Sequence, residues 1–172
     1  VTGLVSKFPI VGGVVGQFGQ TMLNMMDSQI DTYRTLSNGG IDFGDSLFEM
    51  QSKAAQAGIK METLAGVLGE NSQLFAQAFG GATKGANEFS KITKIVQQSQ
   101  QQFSALGMTM EDVTEFTADY IELQMVQGRM EGRSAKSLAK GTTEYVMQLD
   151  QLSKVTGMSR KQIADEMKSQ SM

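Results

Sequence analysis

The sequence predicts an all-α protein of six to seven helices joined by glycine-centred turns, and three observations carry that reading. Apolar residues recur at spacings of three and four along the chain, with no run of strict alternation that would mark a strand. Only one proline interrupts 172 residues. One local pattern also returns at Gly58, Gly107 and Gly157, about 50 residues apart each time. In each copy a glycine precedes an apolar residue, a cap position and a new apolar-periodic run.

That pattern is one helix stopping and the next starting. Glycine just past a helix end takes a left-handed backbone without a side-chain penalty. Thr109 and Ser159 are good N-caps, and three residues later stand Asp112 and Gln162, the partners of a capping box. Met108 and Val113, like Met158 and Ile163, have the spacing of a hydrophobic staple. Ile59 and Leu64 fill the same places in the first copy, where Lys60 is a poor cap. The chain therefore reads as helix-turn-helix repeats of about 50 residues, although the small set of residues that suits such a turn produces the same likeness without duplication.

The elements follow in order. Residues 1–40 form one region, an apolar N-terminal helix from about Val11 to Leu36 with two adjacent apolar stripes. Ser37-Asn38-Gly39-Gly40 ends it. Residues 41–172 form the helical repeat region. Asp42 caps a helix reaching Ala57, and the next carries Leu64, Leu68, Phe75 and Phe79 as far as Gly80-Gly81. Thr83 opens a helix with Phe89, Ile92, Val96, Phe103 and Leu106 in phase across a glutamine-rich stretch. Val113, Phe116, Tyr120, Leu123 and Met130 predict a helix ending near Gly132. Ser134 caps a helix in which Ala135, Leu138, Thr142, Tyr145, Leu149 and Leu152 form a seam over nearly three heptads, and Ser159 caps the last. Such a seam predicts coiled-coil-like packing. Leu138, Tyr145, Leu149 and Leu152 are its interface residues, facing either a helix of this chain or one of another copy.

Composition excludes several chemistries. Cysteine, histidine and tryptophan are absent. There is thus no disulfide, no thiol nucleophile, no imidazole base and no common zinc ligand. The net charge of −3 argues against a free-standing nucleic-acid binder. Residues 133–172 carry seven bases against four acids, a basic tail that reads as a solvated helix face or a contact with an acidic neighbouring copy. Thirteen methionines read first as adaptable core filling. Glu111, Asp112, Glu115 and Asp119 lack the glycine-centred loop of a calcium site, and acids in a first turn complement the helix dipole. The double glycines are not followed by the Lys-Ser/Thr of a phosphate loop. No catalytic residue, metal site or cofactor is expected, and the chain does not read as an enzyme.

No segment has the apolar length of a membrane span. The run from Ile10 to Gly16 carries a GxxxG spacing (Gly12, Gly16) but is short. Val1 and Met172 read as the edges of a window within a longer chain.

Glu70-Asn71-Ser72-Gln73-Leu74-Phe75-Ala76, followed by Phe79 to Phe89, resembles the tail tape measure proteins of tailed bacteriophages. So do Leu106 to Asp112, Tyr120 to Leu123, and Leu152 to Arg160. The resemblance implies a structural virion protein inside the tail tube or baseplate hub. Such a protein sets tail length and is released before DNA ejection. The implied partners are other copies of itself, as a homotrimer or hexamer, the tail tube and baseplate hub proteins, and the DNA terminus or host membrane during ejection. Family members are long and extended, whereas these helices break every 20 to 25 residues. Two other readings compete: a membrane-active or pore-forming helical protein using residues 8–26, and a helical adaptor with a methionine-lined groove.

Overall fold

The computed structural model describes residues 34, 36–38, 40–41 and 47–171, with side chains from residue 51 onward in the continuous part. The expected N-terminal helix, its GxxxG run, residues 8–26 and the Asp42 cap lie outside the described residues, apart from a short helical end at 36–38. Among the described residues the architecture is all-α, without strands. The helices are α1 (Leu47–Ala57), α2 (Met61–Glu70), α3 (Ser72–Phe79), α4 (Ala82–Val96), α5 (Gln100–Ala105), α6 (Met110–Val126), α7 (Ala135–Thr156) and α8 (Arg160–Ser169).

Helix α4 is the hub. It packs against α1, α3, α6 and α7. Ala86, Phe89, Ile92 and Val96 form one buried stripe, and Thr93 joins it because its hydroxyl donates to the Phe89 carbonyl one turn back at 2.9 Å. The α3–α4 hairpin is the tightest contact. Gly80 (φ +79°) and Gly81 (φ +149°) reverse the chain, and both amides donate to the Ala76 carbonyl at 2.9 Å. The Phe75 and Phe89 rings then meet with centroids 4.7 Å apart. Gly85 lies directly on Phe75: a Cβ there would sit 2.6 Å from the Phe75 Cβ and carbonyl oxygen.

The structure breaks two helices that the periodicity runs together. The 64–79 stretch divides at Asn71, whose side-chain amide donates to the Val67 carbonyl at 2.9 Å and takes up a helix-end acceptor. The 83–106 stretch is interrupted by a single 3₁₀ turn at Gln97–Ser99, in the glutamine-rich segment. A third helix is shorter than expected. α6 stops at Val126, not near Gly132, because Gly128 takes φ +64° and Arg129 donates its amide to the Gln124 carbonyl at 2.8 Å. Four helices consequently separate Gly58 from Gly107, but two separate Gly107 from Gly157, so the 50-residue intervals do not fold as like units.

The packing of α7 is globular. Ala139, Val146 and Asp150 are buried beside Leu138, Thr142, Tyr145 and Leu149, which widens the seam into a stripe of period 3.6. A straight helix drifts about 20° per heptad against a 3.5 repeat. By Leu152 the seam has rotated outward, and that side chain is 41% exposed.

Two glycine substitutions separate close packing from helix propensity. Gly85→Ala is expected to lower stability by about 1–3 kcal/mol, because Phe75 backbone atoms must move. Gly66→Ala, within α2 and facing open space, is expected to raise it by about 0.5–1 kcal/mol. Equilibrium urea unfolding of both variants reads the opposite signs.

Candidate functional site

The three corner glycines all adopt the left-handed backbone, with φ +67° at Gly58, +72° at Gly107 and +74° at Gly157. At Gly58 the Ile59 amide donates to the Ala54 carbonyl at 3.1 Å, and at Gly107 the Met108 amide donates to the Phe103 carbonyl at 3.0 Å. Both are six-to-one closures of a helix end. Gly157 closes differently, by a bond from its own amide to the Ser153 carbonyl at 2.9 Å. The caps differ as well. Thr109 with Asp112, and Ser159 with Gln162, form complete capping boxes, whereas Lys60 makes no side-chain cap bond. Where Gly58 turns, the Gln97 side chain lies against it.

A polar clamp brings the second and third corners together. Arg160, the first residue of α8, donates to one Asp150 carboxylate oxygen through Nε at 3.1 Å and Nη2 at 2.6 Å. The same Nη2 donates to the Leu106 carbonyl at 2.7 Å, next to the Gly107 corner. Lys154 reaches the other Asp150 oxygen at 2.6 Å. With two cations over it, the Asp150 side chain is only 4% exposed. The hydrogen bond from Lys154 and then those from Arg160 hold its carboxyl below the ordinary carboxylate value of 3.8, against the opposing effect of burial.

The second polar cluster joins α8 to α6. Lys168 contacts Asp119 at 2.7 Å, Glu122 at 3.4 Å and Asp165 at 3.8 Å. Burial disfavours its ammonium, but Asp119 and Glu122 outweigh this and hold its pKa above the usual lysine value. Burial first, then Asp119, Asp165 and Glu122, push the neighbouring Tyr145 phenol far above its ordinary range, so it stays protonated.

The basic tail divides. Arg160 and Lys168 turn in toward acids of α7 and α6, while Arg133, Lys136, Lys140, Lys154 and Lys161 remain exposed, as a solvated helix face would be. The acids considered as metal ligands have other work: Asp112 in its cap, Glu115 opposite Lys161, and Asp119 on Lys168. Among the described residues no three side chains converge on a metal-sized site. The interface residues divide. Leu138, Tyr145 and Leu149 are buried within this chain, with the Tyr145 ring 5.6 Å from that of Tyr120. Leu152 faces outward beside Val155, which is 84% exposed. Sequence reasoning missed Asp150, whose signal was a carboxylate immediately after the apolar Leu149 and ten residues before an arginine.

Comparison with protein-family models, curated proteins and solved structures yields no significant match.

Removing the clamp has a pH signature. The contribution of a depressed carboxylate is complete above its unfolded-chain pKa and is lost as pH falls through the lower folded value. Asp150→Asn is therefore expected to cost roughly 1–3 kcal/mol at pH 7. Its deficit relative to the parent should shrink below pH 3.8, the ordinary carboxyl value. Urea unfolding of both proteins between pH 7 and pH 2.5 checks this.

Proposed function

We propose that this chain is part of a structural virion protein, the tape measure of a phage tail. It lies in the tail tube or baseplate hub, sets tail length and leaves before the DNA. The observation that carries this reading is where the tape-measure-like segments fall in the fold. Residues 70–89 form the α3–α4 hairpin, with the Asn71 break, the Gly80-Gly81 reversal and the Gly85–Phe75 contact. Residues 106–123 and 152–160 supply the two corners that Arg160 ties together through Leu106 and Asp150. The likeness thus falls on the residues that set helix direction.

The energetics suit a chain that must unfold to pass along a narrow tube. No disulfide locks it, since cysteine is absent. Among the described residues, three buried polar atoms, Gln124 Oε1, Thr142 Oγ1 and Tyr145 OH, make no hydrogen bond with other described protein groups. A buried polar atom left unpaired costs about 1–3 kcal/mol. The partners proposed are further copies of the chain, as a trimer or hexamer, and the wall proteins of tube and hub. Leu152 and Val155 give α7 an outward apolar contact for them.

Mass spectrometry of purified phage particles is expected to find the chain in intact virions and to lose it from particles that have ejected their DNA. Absence from intact virions overturns the proposal. The isolated chain is expected to be helical by circular dichroism and to melt at or below the roughly 45–65 °C usual for mesophilic domains. A sharp transition well above that range counts against it.

A further inference from the structure

Helix α8 is seated mainly by charge. It is ten residues long, shorter than the length at which an isolated helix holds its shape in water. Of its side chains only Ile163 and Ala164 are fully covered, with Met158 just before it and Met167 partly so. Two covered apolar side chains, one of them alanine, are a small return for ordering ten residues and their connection.

Ion pairs make up the difference, and they fall at both ends of the helix. At the first residue Arg160 bonds Asp150 of α7 and the Leu106 carbonyl. In the last turn Lys168, 21% exposed, bonds Asp119 and Glu122 of α6. Lys161 and Glu115 stand 3.7 Å apart but are largely exposed, and such a pair contributes little. The connection is short and lies at the surface, closed by the Ser153 hydroxyl donating to the Met158 carbonyl at 2.7 Å. Residues 154–157 are all exposed, and Gly157 carries the left-handed turn. On the other side, the surfaces of α6 and α7 have further support: α6 also packs on α2, α3, α4 and α5, and α7 on α4.

We propose that α8 is a detachable latch, which undocks from α6 and α7 as one unit about Gly157 while helices α1–α7 keep their fold. Release uncovers Asp119 and Glu122 beside the already exposed Glu115, an acidic face, and it is set by the pairing of Lys168 and Arg160. The inference holds independently of the tail reading.

Hydrogen exchange followed by mass spectrometry on the full chain tests it. In the parent protein, amides of residues 160–169 are expected to exchange by local opening, well ahead of those in α4. Lys168→Met should speed exchange in residues 160–169 by about tenfold or more and leave α4 unchanged. The exchanged pair Asp119→Lys with Lys168→Asp should restore protection. Arg160→Gln, which removes the pairing at the other end of α8, should move residues 160–169 in the same direction as Lys168→Met. That second variant keeps the test decisive if the first does not fold. Two results overturn the proposal: α8 exchanging only together with α4 under every condition, or α8 protection unmoved by either variant.

Discussion

Burial of the α4 stripe is the constraint on which the other helices depend. Phe89, Ile92 and Val96 are fully buried, and the helix that carries them packs against α1, α3, α6 and α7. Helices of 8 to 17 residues, such as α3 and α6, draw most of their stability from tertiary packing. Helix α4 is the surface that α1, α3, α6 and α7 share. The Gly85 contact shows how closely that surface is built, since a single added methyl group meets the Phe75 backbone.

Apolar burial does not by itself fix the direction of each helix. That comes from the corners, where left-handed glycines at 58, 107 and 157 end one helix and set the exit of the next. Arg160 then couples two of those corners across 54 residues of sequence by donating to the Leu106 carbonyl. The polar groups divide accordingly. Asp150 and Lys168 tie helices together, whereas Gln124, Thr142 and Tyr145 bury polar atoms without a described protein partner along the α6–α7 pair. Stability is therefore uneven along the chain, dense around α4 and dependent on charge at α8.

The residues that could be read from sequence act locally. A cap, a staple and a glycine corner are written within six residues, so Thr109 with Asp112 and Ser159 with Gln162 were legible before any coordinates. Helix type was legible for the same reason. Breaks inside a continuous apolar pattern were not, because Leu64 to Phe79 keep their phase across Asn71, and only a side-chain bond to the Val67 carbonyl marks the division. The seam on α7 failed at Leu152 because 3.5 and 3.6 residues per turn diverge only over several turns. The ion pairs were illegible for a different reason. Lys168 and Asp119 are 49 residues apart, and nothing in their spacing announces that α6 and α8 meet.

A chain of short helices on one hub, with its directional information in the corners, suits a structural role in which assembly and later disassembly both matter. The architecture rests on α4 being shared by α1, α3, α6 and α7. The direct measurement is residue-resolved hydrogen exchange of Phe89→Ala, a core truncation that costs about 3–5 kcal/mol. The account predicts that protection in α1, α3, α6 and α7 falls by the same factor. Parental protection in α6 and α7, with loss confined to α3 and α4, would mean two independently stable halves and would contradict it.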